Sequence, residues 1–188
     1  MACATDRPDR RRVFLAPRRR HVPSSRPFPV PWSVVLALLI RSPSIDELPR
    51  LSDLCFRSKA VWGHDGTFME ACRHELSFAP PDLEQTRIAV AEEDGRILGV
   101  VQVKISALDA ELLKLFIEPE ALRKRKGSAL FAWAAAISKE MGATRMVIEA
   151  DPDAVPFYRK MGARDAGQAP SGSIPGRMLP RLTFDVLR

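Results

Sequence analysis

The chain has 188 residues, with 29 lysines and arginines against 23 aspartates and glutamates, for a formal net charge of +6. That length suits one domain with a terminal extension, and the longest apolar run, Val30 to Ile40, is broken by Pro31 and Ser33 and is too short to span a bilayer. Residues 1–29 hold eight arginines and two aspartates, so the remainder carries 21 basic and 21 acidic residues, and charge gives no argument for nucleic acid as the substrate of the domain.

Residues 1–33 read as a disordered Arg/Pro-rich extension. Six prolines fall within residues 1–31, and the segment has too little apolar surface to offset the entropy of ordering itself. The run after the arginines has no small-x-small cleavage site, which argues against a signal peptide. An organellar transit peptide and a nucleic-acid arm are the competing readings of the same segment. Residues 34–188 read as the domain. Cys3, Cys55 and Cys72 form an odd set without CxxC spacing, so neither zinc nor a disulfide framework is expected, and a reducing, cytoplasmic setting is.

Ala37 to Arg41 predicts the first strand. Ser44-Ile45-Asp46-Glu47 has the capping-box pattern, so a helix is expected from Ile45, with Leu48, Leu51 and Cys55 inward. Trp62-Gly63-His64-Asp65-Gly66 breaks it. A second helix is expected from Thr67 to Pro80-Pro81, with Phe68, Cys72 and Leu76 inward. Arg87 to Glu92 and Arg96 to Ile105 predict two strands joined by Asp94-Gly95, a strong hairpin signal. Glu111 to Ile117 predicts the fourth strand. Ser128 to Met141 predicts a long helix with Leu130, Ala134, Ile137 and Met141 on its inner stripe and Gly142 at its end. Met146 to Ala150 predicts a fifth strand, followed by a short helix closed by Gly162 and a last pair of strands.

The stretch from Glu111 to Ser128 carries most of the functional information. It reads as a buried strand, a Pro-Glu turn, a basic loop and a glycine at a helix start. The first N–H groups of a helix have no partner within it, and the helix dipole adds partial positive charge there. Arg123, Lys124, Arg125 and Lys126 add charge to the same spot. A phosphorylated ligand held at the loop Leu122 to Ser128 is the expectation.

Two spacings together resemble the GNAT N-acetyltransferase superfamily. Leu122-Arg123-Lys124-Arg125-Lys126-Gly127 falls on its (Gln/Arg)-x-x-Gly-x-(Gly/Ala) coenzyme A motif, and Asp151, Ala154, Phe157, Tyr158 and Gly162 fall on Asn-x-x-Ala-x-x-Phe-Tyr-x-x-x-Gly. The resemblance covers residues 39–187. Leu122, Arg125 and Asp151 depart from the preferred Gln or Arg, Gly and Asn. The resemblance implies an α/β (α+β) fold, a single domain whose mixed, mostly antiparallel sheet is flanked by helices. It implies transfer of an acetyl group from acetyl-CoA to a primary amine by direct attack in a ternary complex. Acetyl-CoA would be co-substrate, without a metal, and the acceptor a small-molecule or peptide amine. No membrane is implied, nucleic acid is not the favoured partner, and a homodimer is left open.

The resemblance also implies roles. Tyr158, the sole tyrosine, would protonate the departing thiolate, and Glu111 would serve as general base, directly or through one water. Leu115, Phe116 and Ile117 would offer backbone groups to the pantetheine arm, and Leu122 to Ser128 with Asp151 would complete the cofactor site. Arg57, Lys59, Trp62, His64 and Arg177 would lie on the acceptor side, Arg177 as a clamp for a carboxylate or phosphate. Each has a plainer reading as a core aromatic or a solvated charge. His64 has no second ligand at metal spacing. Two other functions compete with the enzyme: a non-catalytic coenzyme A-binding module, favoured by Leu122 and Arg125, and a nucleic-acid-associated protein using the basic tail.

Overall fold

The computed structural model describes residues 38–187. The expected extension and the expected strand start at Ala37 lie outside the described residues. β1 (Leu39–Arg41) leads through a single 3-10 turn, Ile45–Glu47, into α1 (Leu48–Ala60). The Ser44 N–H donates to Glu47 Oε2 at 2.8 Å, the backward half of the expected capping box. The Arg41 guanidinium meets Glu47 at 2.7 and 2.8 Å and Glu92 at 2.6 Å, so one arginine joins three segments. Leu48, Leu51 and Cys55 are buried as their spacing predicts, with Leu54 beside them.

The second expected helix is instead two short ones, α2 (Gly66–Ala71) and α3 (Arg73–Leu76). Asp65 starts the first by accepting the Phe68 N–H at 2.8 Å. Ser77 turns extended, with its hydroxyl bonded back to the Arg73 carbonyl, and stops the second before Pro80. A further turn, α4 (Asp82–Gln85), follows Pro80-Pro81, where the prolines led us to expect only a break. Pro81 presets the helical φ, and Asp82 accepts the Ala79 N–H at 2.8 Å.

β2 (Arg87–Glu93) and β3 (Arg96–Ser106) form the expected hairpin, with φ positive at both Asp94 and Gly95 as a type I′ turn requires. β4 (Asp109–Ile117) follows, then a 3-10 turn at Pro119–Ala121 and α5 (Lys126–Glu140). β5 (Arg145–Glu149), α6 (Val155–Lys160), β6 (Arg164–Pro170) and β7 (Met178–Asp185) complete the order. The inner stripe of α5 differs from expectation. Leu130, Phe131, Ala134 and Ser138 face the sheet, while Ile137 is half-buried and Met141 is exposed. Ser138 is tolerated in the core because its hydroxyl donates to the Ala134 carbonyl at 2.7 Å.

The seven strands run β1-β2-β3-β4-β5-β7-β6, antiparallel throughout except for β4 beside β5. Helices α1 to α4 cover one face, against Ile88, Val90 and Val100. Helices α5 and α6 cover the other, against Ala89, Ala91, Val101 and Val103. The small residues on that side let α5 sit close to the sheet. Gly99 shows how close: a Cβ there would come within 2.6 Å of Ile117 Cδ1 and 3.0 Å of Leu130 Cδ1.

Two irregularities in β4 prepare the site. Its pairing with β5 ends at Leu112 opposite Ile148, so its last five residues have no partner on that side. Its register against β3 also shifts, Leu112 facing Val103 and Lys114 facing Gln102, which leaves Leu113 as an extra residue. Such a bulge bends a strand and increases its twist. Here it coincides with the point where β4 departs from β5.

Candidate active site

The departure opens a cleft of about 610 Å³ between β4 and β5. Its floor is the free edge of β4, from Leu112 to Ile117. One end is closed by the loop before α5 and the other by α1, α3 and the approach to β7. Leu115, Phe116, Ile117, Leu122, Arg123, Arg125, Gly127, Ser128 and Asp151, all expected at a cofactor site, line it together.

The loop turns sharply into α5 with arginines, not glycines, at its two left-handed positions. Arg123 and Arg125 both adopt left-handed backbone, each with φ of 62°. That conformation costs a non-glycine residue about 1–2 kcal/mol. It follows the extended Leu122 and delivers the chain to the first turn of a 15-residue helix, whose leading N–H groups have no partner within it. Gly127 has room for a Cβ at ordinary contact distance, 3.6 Å from Phe157. Glycine here therefore keeps the cleft wall low rather than relieving a clash.

The basic side chains of the loop divide. Arg123 and Arg125 line the cleft, but Lys124 and Lys126 do not. Lys126 is a correction to the expectation of four assisting cations: it is buried, and its ammonium is bonded to Glu93 at 2.5 Å. The first turn of α5 carries it to the far side of the helix start, where β2 supplies the carboxylate.

Tyr158 lines the opposite wall from α6, buried against Phe131 and Phe157, with ring centroids at 5.9 and 5.1 Å. Burial raises its phenol well above the ordinary tyrosine value, and the negative charge of Asp151 adds to the shift. The group therefore keeps its proton at neutral pH and can act as a donor. Asp151 itself is held by two cations, Lys59 Nζ at 2.8 Å and Arg177 Nη2 at 2.5 Å. Burial alone would raise its carboxyl, but these two partners outweigh burial and lower it.

Of the residues expected on the acceptor side, Lys59, Trp62 and Arg177 line the cleft. Arg177 is a correction to a free clamp: it already grips Asp151 and stacks on Phe68, 4.9 Å from the ring centroid. His64 stacks on the same ring at 4.0 Å and is not part of the lining. Arg57 is likewise outside it, half-exposed and paired with Glu118 at 2.5 Å. Glu111 is exposed, in the part of β4 still paired with β5, and does not line the cleft.

Several lining residues lie outside the expected set, among them Glu75, Glu149, Asp153, Lys160 and Lys114. Lys114 stands on the bulged part of β4, its ammonium 2.7 Å from Gln102 Oε1 and 4.6 Å above the Phe78 ring. The only trace in the sequence is a lysine inside an otherwise apolar strand. Strict alternation from Glu111 would have assigned it to the α5 face. The bulge instead places Glu111, opposite Lys104, and Lys114, opposite Gln102, on the same face of the sheet. Among the described residues there is no group of three histidines, cysteines or acids that could hold a metal.

The family described as acetyltransferase (GNAT) matches residues 49–163. No curated protein is significantly similar to the chain in sequence. Among solved structures, the chain is similar to the PaiA N-acetyltransferase of Thermoplasma acidophilum in complex with coenzyme A, at 21% identity and a TM-score of 0.65, covering 79% of this chain and 99% of that one. It is similar to the ribosomal-protein-S18-alanine N-acetyltransferase of Escherichia coli, at 16% identity and a TM-score of 0.60, covering 80% and 94%. It is also similar to the N-acetylglutamate synthase of Neisseria gonorrhoeae, complexed with coenzyme A and N-acetyl-glutamate, at 18% identity and a TM-score of 0.59, covering 81% of this chain and 36% of that one.

Proposed function

Because the chain belongs to the acetyltransferase (GNAT) family, we propose that it transfers an acetyl group from acetyl-CoA to a primary amine in a ternary complex. The observation that carries this reading is the continuity of one cleft. It runs from the left-handed loop and α5 N-terminus, along the unpaired edge of β4, to the buried hydroxyl-bearing ring of Tyr158. Two of the similar structures hold coenzyme A, which supports the same assignment.

The residues fit such a co-substrate in order. The N–H groups from Arg123 to Ser128 would hold the pyrophosphate, with Arg123 and Arg125 adding charge. The backbone of Leu113 to Phe116 would pair with the amides of the pantetheine arm as a strand pairs with a neighbour, while the Ile117 N–H already donates to Ser58 Oγ at 3.4 Å. Acetyl-CoA supplies the acyl group as a thioester. Tyr158 would donate its proton to the departing sulfur, and Glu111 would take the amine proton through water, from the face of β4 that also carries Lys114. Holding two substrates side by side supplies much of the rate by itself. No cysteine lies in the loop or in α6, and burial raises the thiol of Cys72, which does line the cleft, so direct attack is favoured over an acyl-enzyme.

The test is cofactor-dependent melting. Acetyl-CoA should raise the melting temperature by mass action, and Gly127→Asp, which puts a carboxylate into the anion site, should abolish the shift while leaving the unliganded protein folded. An unshifted wild type at millimolar acetyl-CoA would overturn the proposal. A shift without thiol release across a broad amine panel would favour a non-catalytic coenzyme A-binding module instead.

A further inference from the structure

We infer that the amine accepted by this enzyme also carries a carboxylate, and that Lys114 binds it. The inference rests on the acetyl-transfer reading of the cleft and names the acceptor class for it. Among the basic residues of the cleft, Lys160 is an exposed side chain at the end of α6, and the others have distinct duties. Lys59 and Arg177 are already paired with Asp151, and Arg123 and Arg125 belong to the loop that opens α5. Lys114 stands on the sheet floor between them, and among the described residues no carboxylate lies within ion-pair distance of it.

Its surroundings hold it as a donor and leave it unsatisfied. Thr86 Oγ1 donates to the Asp82 carbonyl at 2.6 Å, so it can only accept from Gln102 Nε2 at 3.1 Å. That fixes the fully buried Gln102 amide with Oε1 toward Lys114. One ammonium proton is used there. The Phe78 ring supports another side of the charge, and among the described residues no second hydrogen-bond partner takes up the remaining ammonium protons of this cleft-lining residue. Burial lowers the Lys114 ammonium below its ordinary value; Asp82 and Glu75 act only at a distance to favour the charge. An anion at Nζ would offset that burial.

The bulge at Leu113 supplies the geometry. It brings Glu111 and Lys114, three residues apart, to the same face of β4. Lys114 lines the cleft on that face, whereas Glu111 lies outside the lining and would reach an amine there only through water.

The experiment compares free L-amino acids with their carboxamides, using the full chain. Thiol release gives kcat/KM, and melting with and without coenzyme A gives binding independently of turnover. Free acids should exceed their amides by about 10–100-fold, the scale of one charge-assisted hydrogen bond. Lys114→Met should erase the preference mainly through KM, Lys114→Arg should keep it, and both should retain the acetyl-CoA shift. If Lys114→Met fails to fold, Lys114→Gln, which can still donate to Gln102, carries the same comparison. Amides as good as acids, a preference that survives loss of the charge, or no binding by any amino acid would overturn the inference. Selective binding of acids without thiol release would overturn acetyl transfer and leave the carboxylate site standing.

Discussion

Tyr158 and Glu111 divide the proposed proton chemistry according to their environments. Tyr158 is 7% exposed, and its burial keeps the phenol protonated. Tyr158→Phe keeps the ring contacts with Phe131 and Phe157 and removes only the donor. Its kcat should fall by about 10²–10⁴-fold with acetyl-CoA binding nearly unchanged; an unaltered kcat would make the residue one of packing alone. Glu111 is exposed and acts, in this proposal, through water. Glu111→Gln should slow the reaction more at neutral pH than at high pH, where the amine is already free. A loss that is equal across the pH profile would point to positioning rather than proton removal.

Among the elements, β4 decides the most. Its bulge redirects side chains, its early separation from β5 opens the cleft, and its last residue, Ile117, is locked against Gly99. Gly99→Ala would place a methyl group 2.6 Å from Ile117 Cδ1 and 3.0 Å from the Phe116 carbonyl. Overpacking of this kind costs about 1–3 kcal/mol. The expected result is a lower melting temperature together with a raised KM for acetyl-CoA, because the strand that yields is the floor of the cleft. A variant with the stability loss but an unchanged KM would show that α5 moves instead. The inner line of α5 departs from the predicted stripe at two of its four positions. Ile137 and Met141 look like core residues by hydrophobicity, yet Phe131 and Ser138 occupy the inner line because the helix rotates to bring Ala134 against the small residues of β2.

Across the whole molecule, the network of Arg41, Glu47 and Glu92 ties β1 and the turn that opens α1 to β2. The Arg41 hydrogen bond lowers the Glu47 carboxyl from its usual 4.5 to about 2, against a smaller opposing effect of burial. A carboxyl lowered in the fold contributes stability that is fully present above its unfolded value and is lost as pH falls. The loss should therefore fall between pH 4.5 and about 2. Glu47→Gln should flatten the melting-temperature profile over that window and leave the remainder of the acid limb in place. A profile of unchanged shape would show that the network contributes nothing to stability, as many partly exposed pairs do.

The sequence by itself determined what depends on neighbours in the chain. The Asp94-Gly95 turn, the Ser44–Glu47 cap and the strand-loop-helix ahead of Gly127 are set by dihedral preference, capping and periodicity within a few residues. Two such spacings carried the resemblance to the family, and the resemblance implied the mixed sheet. The tertiary structure alone decided which charges meet. Lys59 and Asp151 are 92 residues apart, and Asp151 and Arg177 are 26 apart, so no local pattern announces their pairing. Lys126 reads like its three basic neighbours until helix rotation presents it to Glu93. The same holds for Lys114. A strand pattern assigns faces by counting in twos, and one unpaired residue at Leu113 reverses the count. That bulge exists only in the pairing of β4 with β3, a relation between two strands that neither segment states on its own.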